Sequence, residues 1–228
     1  MKNSIIVIKK QFKDTLKNRT ILIQFILFPI ITLVMERAVN IEGMPELFFT
    51  RLFSVMYIGM APLTSMSSII SEEKEKNTLR VLMMSNVKPW EYLFGVGAYV
   101  FVICMIGAGV MSTGLQGKDV IFYLLTMGIG FIISIACGSC IGILSKNQME
   151  ANSIGIPIMM IFSFLPMLAM FNDTIKNVAE FFYTQQLINV LNEMSFRNLS
   201  AKTYLVLLIN AALMFILFGV AFRKKGLE

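Results

Sequence analysis

The sequence contains no histidine among its 228 residues. Histidine is the commonest general base in enzymes and the commonest metal ligand. Its absence argues against Ser-His-Asp hydrolases, histidine-dependent zinc proteases and haem-binding bundles. The sequence also lacks a G-x-x-x-x-G-K-[ST] phosphate-binding loop, so we expect no ATP site in this chain. We therefore predict no catalytic, cofactor-binding or metal-ligating residues.

Cysteine is scarce, and Cys104, Cys137 and Cys140 all lie within apolar stretches. This placement does not indicate a disulfide framework. Cys137 and Cys140 have the spacing of a redox motif, but there is no second such pair and no polar context that would favour a thiolate. Ordinary packing thiols are the favoured interpretation, with metal or redox chemistry as the alternative.

Charge is also scarce, because only 15% of the residues are charged while 56% are hydrophobic, and the mean hydropathy is +0.72. Soluble domains average about 45–50% apolar and about 25% charged residues. The composition therefore predicts an all-α integral membrane protein with a single transmembrane domain, residues 1–228. A spanning helix needs about 20 residues. Six apolar runs meet this requirement: Thr20–Val39, Leu52–Ser71, Leu93–Leu115, Val120–Leu144, Ile154–Phe171 and Thr203–Phe222.

The apolar cores of these six runs contain no Asp, Glu, Lys, Arg or His. Ion-coupled carriers usually hold an ionisable group near the middle of the membrane. Self-powered secondary transport is therefore disfavoured, and the energy for any transport is expected from outside the chain.

The net charge of +6 is explained by membrane orientation. With both termini in the cytoplasm, 14 of the 20 Lys and Arg residues lie on the inner side and six on the outer side. This asymmetry follows the positive-inside rule. We predict a multi-pass protein of the cell membrane with cytoplasmic termini, contacts with lipid, and no nucleic-acid partner.

The segment before the first run, residues 1–19, predicts a basic amphipathic helix on the inner membrane surface. Ile5, Ile8, Phe12 and Leu16 recur at helical spacing, and lysines lie to one side of this stripe. A frayed charged tail is the alternative.

The fourth run carries small residues at successive i+4 positions: Gly130, Ser134, Gly138 and Gly142. Small residues on one helix face allow a neighbouring backbone to approach closely. We therefore expect this stripe to pack against another span.

The segment 172–202, between the fifth and sixth runs, predicts two short helices. Its apolar face is interrupted around Tyr183-Thr184-Gln185-Gln186. One interpretation is a re-entrant hairpin that dips into the outer leaflet, which is tolerated when buried against protein. A surface-lying amphipathic helix is the alternative.

The segment 72–90, between the second and third runs, is the most charged internal stretch, and the orientation places it in the cytoplasm. Glu72 and Lys76 are four residues apart, a spacing at which oppositely charged side chains on a helix can pair. A short helix then follows, in which Leu79, Leu82 and Met83 share one face. Such a face can insert into a groove on a soluble partner. An ordinary charged loop is the alternative on spacing alone.

The stretch Glu72–Leu82, followed by Val87–Gly95, resembles the E-E-x-E-x-G-T-L-x-x-L…P-x-x…G-K signature of type-2 ATP-binding-cassette exporter permeases. The sequence departs from this signature at Asn77, where glycine is usual, and at Val96, where lysine often follows the glycine that corresponds to Gly95. The resemblance implies a six-helix subunit that works with a second permease chain and two ATPase subunits, which bind ATP and magnesium. It also implies a coupling helix that docks on the ATPase through these residues: Glu72, Glu73, Glu75, Asn77, Thr78, Leu79, Arg80, Leu82 and Met83.

The expected function is therefore that of a transport subunit and not of an enzyme. The 19 Phe and 18 Met residues favour an amphipathic peptide, a lipid-like molecule or a hydrophobic drug as the exported substrate. One alternative is a membrane protein that sequesters a peptide, as an immunity protein does, without an ATPase. An intramembrane enzyme that uses Glu72 and Glu73 is disfavoured, because histidine is absent and this loop is lysine-rich and exposed to water.

Overall fold

The computed structural model describes residues 2–17, 19–39, 43, 45–195 and 199–225, with the side chains of 2, 3, 15–17 and 19–21 left out. These residues form only helices, which confirms the predicted all-α class. A short 3-10 turn, Ser112–Gly114, follows the fifth helix. The α-helices are α1 (Lys2–Lys17), α2 (Arg19–Ala38), α3 (Phe48–Glu75), α4 (Thr78–Met84), α5 (Pro89–Met111), α6 (Lys118–Leu144), α7 (Gln148–Leu168), α8 (Asp173–Ala179), α9 (Tyr183–Glu193) and α10 (Ala201–Lys225).

Five helices in the described part of the chain are long and apolar enough to cross a membrane: α3, α5 with its 3-10 turn, α6, α7 and α10. They coincide with the second to sixth predicted apolar runs, so the chain is a multi-pass membrane protein. The first run coincides with α2, which is not among these five helices. A sixth span therefore stays a prediction.

The central helix is α3, which packs against α2, α4, α5, α6, α7 and α9. Its side chains are mostly buried, and several of its serines and threonines donate to helix carbonyls, as Ser54 does to Thr50 at 2.5 Å. This arrangement satisfies hydroxyl groups where water is absent. The predicted coupling segment, residues 72–90, is therefore attached to the helix that contacts most of the bundle.

The glycine stripe of α6 lies against α3. A Cβ atom added at Gly138 would overlap the carbonyl oxygen of Leu63 and lie 2.9 Å from its Cα. A Cβ atom at Gly142 would lie 2.8 Å from the Cβ of Ile70. Real Cβ atoms do not approach other heavy atoms this closely, so only glycine allows this separation of the two backbones.

The N-terminal half of the same stripe contacts both α3 and α9. A Cβ atom at Gly130 would lie 2.7 Å from Ile58 Cγ2 and 2.8 Å from Leu187 Cδ1. Ser134 donates from Oγ to the carbonyl oxygen of Ile58 at 2.7 Å, and it lies 2.8 Å from the Tyr183 hydroxyl. The stripe therefore joins three helices through close contact and hydrogen bonds.

The first helix, α1, packs against α5 with Ser4 and Val7 beside Gly95, while its Gln11 bonds to Glu73 of α3. Ile5 and Phe12, from the predicted apolar stripe, are more than half exposed, but Ile8 of the same stripe packs against the core. The buried side of α1 therefore only partly coincides with that stripe. The side chains of Leu16 and Lys17 lie outside the described residues.

The segment between α7 and α10 contains two short helices, as predicted. Asn172 caps α8, because its Oδ1 accepts from the backbone nitrogens of Thr174 at 2.9 Å and Ile175 at 3.2 Å. Tyr183-Thr184-Gln185-Gln186 is the first turn of α9 and is buried. It was interpreted from the sequence as an interruption of the apolar face, but it starts a helix that packs against α3, α6, α7 and α10.

Candidate coupling site at the carboxyl end of α3

A tight turn joins α3 to the short helix α4. Asn77 occupies this turn in the left-handed region, with a φ of 55°. Glycine adopts this region freely, and asparagine is among the few other residues that do so readily. The turn therefore explains why asparagine stands where the exporter signature has glycine: the backbone conformation is retained.

Glu73, in the last turn of α3, is a buried carboxylate with partners on α1. Its Oε1 lies 2.5 Å from Lys10 Nζ and also accepts from the Gln11 amide. From α5, the buried Tyr92 lies beside the same carboxylate. A buried charge is tolerated when it is paired and hydrogen-bonded. Glu73 therefore holds α1 against the end of α3.

Glu72 and Glu75 bind the start of α7. Glu75 Oε2 accepts from the backbone nitrogen of Gln148 at 3.0 Å, and Glu72 Oε2 accepts from the Gln148 side chain at 3.2 Å. The first backbone N–H groups of a helix lack internal partners and favour negative charge. Glu72 also pairs with Lys76, and this hydrogen bond raises the pKa of the Lys76 ammonium above its ordinary value.

Two lysines bind the carboxyl end of α6, which lies beside the start of α7. Lys74 Nζ donates to the carbonyl oxygen of Ile143, and Lys225 Nζ donates to that of Leu144, both at 2.8 Å. The last carbonyls of a helix favour cations. The charged end of α3 is thus tied to α1, α6 and α7.

The short helix α4 turns its predicted docking face toward its own chain. Leu79 is only 1% exposed and belongs to the core, while Leu82 and Met83 are half-buried against it. Thr78 donates from Oγ1 to the carbonyl oxygen of Glu73 at 3.2 Å. Of the nine residues expected to contact an ATPase, Glu73 and Leu79 are therefore buried within the chain.

The opposite face of α4 is open. Arg80 is exposed, and Val81 and Met84 are 61% and 81% exposed. At about 100° per residue, these three positions point away from Leu79, Leu82 and Met83. The sequence analysis did not identify Val81 and Met84 as exposed, because it assigned Leu79, Leu82 and Met83 to a partner. The helical spacing of about 100° per residue would have placed both residues on the exposed face, had Leu79 been assigned to the core.

Comparison with known proteins identifies the family of the chain. The sequence model of the ABC-2 family transporter proteins matches residues 2–223. No curated protein matches the chain. Because the family match covers nearly its whole length, the chain belongs to the ABC-2 transporter family, in which such a chain is a membrane transport component and the ATPase activity is in a separate subunit.

Proposed function

We propose that this chain is the permease subunit of an ATP-driven exporter and that its ATPase partner docks on the exposed face of α4. The observation that carries the proposal is the two-sided geometry of α4. Its buried face holds the helix to the core through Leu79, while Arg80, Val81 and Met84 are exposed. An apolar pair beside a cation suits a groove on a soluble partner.

The charged end of α3 supports transmission of movement from α4 into the membrane. A partner that displaces α4 pulls on Asn77 and the last turn of α3, where Glu72, Glu73 and Glu75 bind α7 and α1. The glutamates therefore act as positioning residues, and direct docking falls to the exposed face of α4. The free energy comes from ATP hydrolysis in the partner.

The proposed membrane arrangement has six spans, with α2 as the first. Its 20 residues give about 30 Å of helix, the thickness of the hydrocarbon core. Both termini then lie in the cytoplasm, and α1 lies on the inner surface with Ile5 and Phe12 toward lipid. The helices α8 and α9 form the outer re-entrant segment, which the burial of α9 supports.

The proposed assembly contains two ATPase subunits and a second permease chain, identical or similar. Among the five candidate spans, α7 and α10 are the least covered by the rest of the chain. Their exposed apolar faces are available to a second permease and to lipid. The exported substrate is an amphipathic peptide, a lipid-like molecule or a hydrophobic drug, for which the many Phe and Met residues supply adaptable apolar contacts.

Co-purification tests the docking proposal. The affinity-tagged chain is co-expressed with its neighbouring genes, and the wild type is compared with the double variant Val81→Asp/Met84→Asp. We expect the wild type to retain an ATP-hydrolysing subunit and the variant to lose most of it, with equal amounts of permease in the membrane. Native mass spectrometry of the wild-type complex reports how many permease and ATPase chains it contains.

The control is Val178→Asp, a half-exposed apolar residue of α8. It introduces a carboxylate away from α4 and should leave ATPase retention unchanged. The docking proposal fails if the α4 variant retains as much ATPase as the control. If the wild type retains no ATPase, the exporter assignment itself fails, and a peptide-sequestering membrane protein becomes the better interpretation.

A further inference from the structure

A basic groove of about 1220 Å³ lies between α4 and the carboxyl end of α10. No Asp or Glu lines it among the described residues. Six cations line the groove: Lys74, Arg80, Lys88, Arg223, Lys224 and Lys225. Concentrated charge of one sign in a groove attracts ions of the opposite sign.

Most of these cations are not neutralised by the chain. Lys74 and Lys225 each donate to a backbone carbonyl at the end of α6. Within the described residues, the side chains of the other four form no ion pair with a carboxylate: Arg80, Lys88, Arg223 and Lys224. The groove therefore has unsatisfied capacity for an anion with several acceptor oxygens.

A second groove, of about 700 Å³, lies between α5, α6 and α10, and its lining is almost entirely apolar. Phe222 lines both grooves, so the apolar groove begins where the basic groove ends. Its aromatic lining consists of Trp90, Phe94, Phe101, Phe215, Phe218 and Phe222.

We propose that these two grooves form one binding site for an anionic phospholipid. The phosphate headgroup binds the cations, and one acyl chain lies in the apolar groove past Phe222. Guanidinium groups bind phosphate oxygens with two hydrogen bonds, and basic pockets between spanning helices suit anionic headgroups. An acidic segment of a protein would fill only the basic groove and leave the apolar one empty. The basic groove shares Arg80 and Met84 with the exposed face of α4, but binding of the lipid does not require the ATPase partner.

The position of the site gives the lipid a route to influence α4. Arg80 belongs to α4, Lys88 immediately precedes α5, and Arg223 belongs to α10. A single headgroup that binds all three holds the short helix against the end of the last span. The lipid composition of the inner leaflet would then set how firmly α4 is held.

The only tryptophan of the chain, Trp90, provides the readout, because it lines the apolar groove and is 55% exposed. The purified full chain is reconstituted in phosphatidylcholine bilayers that contain a small fraction of lipid with bromine on the acyl chains. Bromine quenches tryptophan fluorescence on contact. We expect brominated phosphatidylglycerol to quench Trp90 at several-fold lower mole fraction than brominated phosphatidylcholine.

The variant Arg223→Gln/Lys224→Gln should lose most of this several-fold preference, because each cation near an anionic headgroup contributes about fivefold to its binding. The control Lys118→Gln/Lys176→Gln makes the same change in net charge at exposed lysines outside the groove and should keep the preference. A further variant, Ala98→Leu, fills the apolar groove and should reduce quenching by both brominated lipids. Each variant is first shown to be monodisperse by size-exclusion chromatography.

The proposal is overturned if the two brominated lipids quench the wild type equally. That result is also expected if the basic groove serves an acidic protein segment instead of a lipid. It is likewise overturned if the Arg223→Gln/Lys224→Gln variant keeps the wild-type preference, since the cations would then have no part in lipid selection.

Discussion

Lys10 of α1 and Glu73 of α3 form an ion pair, with 2.5 Å between Lys10 Nζ and Glu73 Oε1. The Glu73 side chain is 8% exposed and the Lys10 side chain 31%, so the carboxylate depends on its protein partners more than the ammonium does. The candidate coupling segment is thereby bonded to α1, the first helix of the chain. The pair makes α1 part of the candidate coupling site.

The first prediction concerns this ion pair. Lys10→Gln leaves the buried Glu73 carboxylate without its cation, so we expect a loss of about 2 kcal/mol in the free energy of unfolding. The measurement is thermal unfolding of the detergent-purified chain, in which the variant should unfold at a lower temperature. Lys9→Gln is the matched control, because Lys9 is exposed on the same helix. Equal shifts for the two variants would contradict the structural role of the pair.

The second prediction concerns the left-handed turn at Asn77. Asn77→Gly should leave stability unchanged or slightly higher, whereas Asn77→Val should cost about 1–2 kcal/mol, because a β-branched residue is strained at positive φ. Thermal unfolding is again the measurement. Asn177→Val, in the regular helix α8, controls for the change of side chain. If the Asn77→Val variant is as stable as the wild type, the turn does not require this conformation.

The third prediction concerns the contact between α6 and α3. Gly138→Leu places side-chain atoms where the Leu63 backbone lies, so the two helices must separate. We expect a severe loss of monodisperse protein in size-exclusion chromatography, and Gly138→Ala should already lower the unfolding temperature. Gly109→Leu and Gly219→Leu are the controls, because a Cβ atom at either position meets nothing within 4 Å. Normal assembly of the Gly138→Leu protein would remove the argument for close packing.

Several features of the site could be predicted from the sequence because they depend on local spacing. The i,i+4 pair of Glu72 and Lys76 is present, and a short helix, Thr78–Met84, follows the charged stretch as the pattern indicated. The small-residue stripe likewise indicated a close contact. Its partner was not evident, because Gly138 meets a residue of α3 that lies 75 positions earlier in the chain.

Other features depend on which helix lies beside which, and periodicity carries no such information. The stripe predicted on α1 gave no sign that Val7, on another face, packs within the chain, and the apolar face of α4 was assigned to an ATPase although Leu79 belongs to the core. A helix next to a bundle packs first against its own chain, since that contact is always present. Its exposed face remains for any partner.

The sequence by itself determined that this is an all-helical membrane protein of the ABC-2 family. In hydrocarbon every backbone polar group must be bonded internally, so long apolar runs without charge specify helices. Tertiary structure alone decided that Glu73 binds Lys10, that α4 exposes Val81 and Met84, and that Phe222 joins a basic groove to an apolar one. These relationships join residues far apart in the chain, and they exist only once the helices pack in one arrangement.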